Sequence, residues 1–199
     1  MKRLLASLFT ALAVGAAQPA PPPPTSPATT PLAAARAILA IPLNHSSWND
    51  YIVLPKHNDG FLWTEFGEQI ERWNRLAGSV PGAAKVDKKI IDGRYVYLSY
   101  RGRTLQAPVK ESREDDTIEV HTLSRLVKSD WDIRFCVDSW HNSDLAFLAL
   151  PPATWRTLEH QFGADAVRYR FIPLPEDLDA FWKAFDRISA EAAKRSYAD

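Results

Sequence analysis

Residues 86–110 read VDKKIIDGRYVYLSYRGRTLQAPVK, and how this stretch is read decides the fold. Aromatic and β-branched residues crowd it, and two glycines interrupt it. Asp92-Gly93 between apolar β-formers is a strong hairpin signal, because both central positions of the favoured two-residue turn need positive φ. Arg101-Gly102 is a weaker signal that rests on the glycine alone. The spacing predicts three antiparallel strands, 86–91, 94–100 and 103–109, in one meander. With helical periods on both sides, the class expected is α+β, with α/β the alternative. The architecture expected is a single domain: a mixed, mostly antiparallel sheet with two to three helices packed on it.

C-terminal to the meander, ESREDD (111–116) reads as a charged, solvated turn rather than a metal site. IEVHTLSRLV (118–127) suits strand or helix equally. WDIRFCVD (131–138) alternates: Trp131, Ile133, Phe135 and Val137 are expected on an apolar face, and Asp132, Arg134, Cys136 and Asp138 on a polar one. DLAFLALP (144–151) is apolar on both faces and predicts a central strand. PATWRTLEHQFG (152–163) predicts a helix with Trp155, Leu158 and Phe162 on one face, Pro152 near its start and Gly163 just past its end. VRYRFI (167–172) alternates and reads as a further strand. PEDLDAFWKAFDRISAEAAKR (175–195) has the clearest helical stripe, through Leu178, Phe181, Trp182, Phe185, Ile188 and Ala192. Its acidic start and basic end match the helix dipole.

N-terminal to the meander, LAAARAILAI (32–41) predicts a short helix stopped by Pro42. YIVLP (51–55) predicts a strand. Leu62, Phe66, Ile70, Trp73 and Ala77 predict one helix, with Asn58 or Asp59 as its cap and Gly78 at its end. IVLPKHNDGFLWTEFG (52–67) and LALPPATWRTLEHQFG (148–163) align without gaps, share five residues, and raise the question of a duplicated strand–helix unit.

The first 31 residues differ in kind. Met1-Lys2-Arg3, an apolar run from Leu4 to Ala17 and small residues at its end predict a secretory signal peptide over 1–17. The run is shorter than the roughly 20 residues a bilayer span needs, which sets the competing reading of an uncleaved anchor at a disadvantage. QPAPPPPTSPATTP (18–31) holds seven prolines and no charge. It predicts an extended linker, with a proline-recognition ligand as the alternative. The globular domain is expected over 32–199, in a periplasmic or secreted protein with no membrane span left after cleavage.

Without residues 1–17 the chain has 22 basic and 24 acidic residues. Nucleic acid demands a basic surface, so this near-neutral balance argues against it as a partner, and none is expected. Cys136 is the only cysteine, so no internal disulfide can form, and 7 Trp, 6 Tyr and 9 Phe must supply the packing.

FCVDSWHNSD (135–144) gathers Cys136, Asp138, Trp140, His141 and Asn142. His57-Asn58-Asp59 resembles His141-Asn142-Ser143-Asp144 in pattern. Two histidines with nearby aspartates suit general acid–base hydrolysis, and Cys136 is a separate candidate nucleophile. The competing reading is a packed thiol beside ordinary turn residues, since Asn, Asp and Ser favour turns. The five histidines show no metal-binding spacing and no cofactor motif is present. Trp48 (SSWND) and Trp140 (DSWHN) sit in polar stretches, where a tryptophan either folds back on the core or anchors a partner. Two functions remain. The leading one is an exported bacterial cell-envelope binding module, inhibitor, immunity-type or accessory, whose partner is another protein and whose contacts come from Trp48, Trp140, Asp138 and Asn142. The alternative is a secreted hydrolase using His57 and His141, with or without Cys136.

Overall fold

A computed structural model of the chain describes residues 30–41, 60–64, 69–78, 80, 83–108, 115–139, 144–184 and 186. The fold is α+β. In chain order the elements are α1 (Pro31–Leu39), β1 (Leu62–Trp63), α2 (Gln69–Gly78), β2 (Asp87–Ile91), β3 (Tyr95–Tyr100), β4 (Arg103–Ala107), α3 (Asp115–Val127), β5 (Asp132–Cys136), β6 (Ala146–Leu150), α4 (Pro152–Phe162), α5 (Ala164–Arg170) and β7 (Phe171–Pro173). Residues 178–184 are helical and are called α6.

The meander forms as expected, but as a sheet of its own in the order β2-β3-β4. Both of its turns use left-handed backbone. Asp92 and Gly93 have φ of 53° and 67°, and Arg101 and Gly102 have 48° and 78°. The two-residue Arg101-Gly102 loop joins Tyr100 directly to its partner Arg103. Lys88 reaches from β2 to Glu119 of α3 at 2.6 Å. The Asn74 side chain of α2 both donates to Val86 O and accepts from Val86 N, at 2.9 and 2.8 Å, clamping the entry to β2.

The second sheet is β1-β6-β5-β7, antiparallel throughout. β6 lies inside it and is buried along its whole length, which its two-sided apolar sequence requires. Phe147 and Ala149 join one apolar cluster with Ile133, Phe135, the α2 residue Trp73 and the α3 residues Leu123 and Leu126. Ala146, Leu148 and Leu150 join another with Ala35 and Ile38 of α1, Trp155 and Leu158 of α4, and Val167. The sheet is therefore covered on both faces.

Trp155 ties α4 to β5. Its Nε1 donates to Asp132 O at 2.8 Å. The Arg134 guanidinium lies 4.3 Å from the indole centroid and donates to Asp132 at 2.9 Å and Glu159 at 2.8 Å. Stacking satisfies the flat, weakly hydrated face of the arginine while its edges hold the two carboxylates.

Several expectations change. Leu62 does not begin a helix; Leu62 and Trp63 pair with Phe147 and Ala146 as β1. The described helix α2 spans Gln69–Gly78, with Ile70, Trp73 and Ala77 on its buried side as expected, and Phe66 lies outside the described residues. The segment 167–172 is not a strand. Residues 164–170 are helical, Val167 and Arg170 are buried one turn apart, and only residues 171–173 join the sheet. Gly163, at φ 90°, makes the corner between α4 and α5. Residues 118–127 lie within helix α3, where burial around most of the helix outweighs β-branched propensity. The strand expected over 131–138 ends at Cys136, and Val137–Ser139 turn as a short 3₁₀ segment. Helix α1 begins at Pro31, inside the span read as linker, with Thr30 Oγ1 accepting from Ala33 N. The repeat of 52–67 in 148–163 fails where it can be compared: Leu62-Trp63 is strand, while its counterpart Leu158-Glu159 is helix. The strand expected over 51–55 lies outside the described residues. No helix among the described residues is long and apolar enough to cross a membrane.

Candidate functional site

The site read from 135–144 sits where β5 leaves the sheet. Two of its residues, Cys136 and Asp138, are described. Trp48, His57, Trp140, His141 and Asn142 lie outside the described residues.

Cys136 pairs with Phe171 across β5 and β7. Its side chain is 0% exposed, among Ala35, Leu148, Trp155 and Phe171. Its placement on a polar face is therefore corrected. That face of β5 is roofed by α1, α4 and α5, and what reads as polar is buried. Burial pushes the thiol well above its usual pKa, and the carboxylate of Asp138 adds to the rise. The thiolate is the nucleophile, and a sealed, protonated thiol supplies none.

Asp138, expected on the polar face, is covered as well. It is 3% exposed and pairs with Arg170, which is 5% exposed. Arg170 Nη1 donates to Asp138 Oδ1. Burial outweighs the arginine and raises the carboxyl above its ordinary value. The pair was not legible in advance, because Arg170 falls in a stretch read as an alternating strand. A helical reading of 164–170, with Val167 and Arg170 three apart, is the signal that would have found it.

The turn also closes a neck. Ser139 Oγ donates to Cys136 O at 2.7 Å and accepts from Ala146 N at 2.9 Å. One residue along, Thr64 Oγ1 accepts from Leu145 N at 2.9 Å, while Thr64 N donates to Leu145 O at 3.0 Å. Ser139 and Leu145 are thus both fixed by hydrogen bonds.

Among the described residues no group of three or more His, Cys, Asp or Glu side chains is placed to hold a metal ion. Comparison with protein-family models, with characterised proteins and with solved structures gave no match.

Proposed function

We propose that this chain is an exported bacterial cell-envelope protein, periplasmic or secreted, that acts as a binding module for another protein, as an inhibitor, an immunity-type protein or an accessory subunit. The observation that carries the reading is the neck at Ser139 and Thr64. It anchors both ends of the stretch holding Trp140 and Asn142. A recognition segment held at both ends loses less conformational entropy on binding, and tryptophan is the residue most enriched among binding hot spots. The apolar leader and the uncharged proline-rich stretch support export and reach. Burial of Cys136 takes the thiol, but neither His57 nor His141, out of the competing hydrolase reading.

The test has two arms. Cell fractionation of the full chain should place a form shortened by the leader in the envelope or the medium. Immobilised wild-type chain should then retain one envelope protein that the Trp140→Ala chain, matched in circular dichroism, does not. Equal retention by both chains, or a full-length cytosolic protein, would refute the reading.

A further inference from the structure

The end of α3, strand β4 and Glu176 line an open concavity of about 410 Å³ formed by Arg103, Leu105, Arg125, Lys128, Ser129 and Glu176. Three cations meet one carboxylate there, a local balance of +2. Glu176 is already engaged: Lys128 donates to it and holds its carboxyl below the ordinary value. Arg103 and Arg125 are exposed and form no ion pair with a described carboxylate.

Helix electrostatics explains part of this. Arg125 and Lys128 stand at the C-terminal end of α3, where cations complement the dipole. It does not explain Arg103, which arrives from β4 and adds a like charge to the same cavity. Its neighbour Arg101, by contrast, is taken by Asp130 at 3.2 Å. Two guanidinium forks that form no ion pair with a described carboxylate, Arg125 adding only its field to Glu176, suit a multiply charged oxyanion at one concavity, because each fork presents parallel donors.

We propose that this cavity binds a phosphate monoester, with Arg103 and Arg125 gripping the phosphate and Leu105 forming an apolar wall for the ester group. A phosphate monoester carries about −1.5 to −2 at neutral pH and so matches the local balance, whereas a carboxylate brings only half as much. The volume falls within the range of small-molecule sites and leaves room beyond the phosphate. The site shares no residue with the neck at Ser139, so it stands or falls independently of partner binding.

The full chain is titrated with inorganic phosphate, glycerol phosphate and acetate at matched ionic strength, following the amide resonances of Arg125 and Ser129. Saturable millimolar binding of both phosphates is expected. It should weaken by roughly fivefold or more in Arg103→Ala and in Arg125→Ala, the loss of one charge-assisted contact. Acetate should bind at least that much more weakly. Arg156→Ala, which removes an exposed cation from α4, should change nothing. Vesicles of phosphatidylcholine with phosphatidic acid separate the sources. Retention that depends on Arg125 assigns a lipid headgroup; saturation by glycerol phosphate without retention assigns a free ester. No saturation by either phosphate together with no retention, or equal weakening in Arg156→Ala, overturns the proposal.

Discussion

Asp138 and Arg170 satisfy each other only halfway. Arg170 Nη1 donates to Asp138 Oδ1, while Asp138 Oδ2 and Arg170 Nε are buried with no hydrogen-bond partner. A buried pair in this state is costly to break and inexpensive to replace. Removing one partner leaves an uncompensated charge in the interior, so Asp138→Ala alone should destabilise by about 3–5 kcal/mol. The double change Asp138→Leu with Arg170→Met should return to within about 1 kcal/mol of wild type, or exceed it. Urea unfolding of the wild type, Asp138→Leu, Arg170→Met and the double variant measures the cycle. A single change costing less than about 1 kcal/mol would show that the pair is not sealed.

Cys136 is expected to resist thiol reagents in the native chain and to react only after unfolding, because burial both shields the thiol and keeps it protonated. Cys136→Ser places a hydroxyl among Leu148, Trp155 and Phe171 and should cost about 1–3 kcal/mol, more than Cys136→Ala. Rapid modification of the folded protein by iodoacetamide would contradict this placement.

Phe181 and Trp182 are neighbours on α6 with unequal roles. Phe181 is 2% exposed and meets Phe135 and Phe147 at ring centroid distances of 6.0 and 6.3 Å. Trp182 is only partly buried, at the edge of the same cluster. Phe181→Ala should therefore cost about 3–5 kcal/mol, and Trp182→Ala clearly less. Thermal or urea denaturation of the two variants gives the order, and the reverse order would mean that α6 is rotated on the sheet.

His121 makes stability depend on pH. It is buried on α3, and its Nε2 donates to Pro175 O at 2.9 Å, joining α3 to the approach of α6. Burial lowers its pKa, opposed by the bond to Pro175; Arg125 lowers it further and Asp177 acts against that. The folded value lies below the unfolded one, so the unfolded chain takes up the proton first. The contribution is complete above the unfolded value of about 6.5 and is lost as pH falls through the folded value. Urea midpoints measured downward from pH 8 should fall in this window, and His121→Gln should flatten that part of the profile. An identical slope in both chains would remove His121 as the cause.

What was legible in the sequence is what short range controls. The meander follows from Gly93 and Gly102, which take φ values of 67° and 78°, with β-formers on either side. Central strand β6 follows from a run apolar at every position, and α4 from the spacing of Trp155 and Leu158. Each depends on backbone preferences and side-chain periods within a few residues. The sequence by itself thus determined where the chain turns and which segments must be covered. Only the tertiary structure decided which element covers which face. Six residues of apparent alternation do not separate a strand from the helix that became α5, and Leu62 obeys a helical period yet pairs with Phe147, 85 positions away. Cys136 and Asp138 look polar-facing until α1, α4 and α5 close over β5. Burial is a property of distant segments meeting, and the free energy that drives it does not reside in any local stretch of chain.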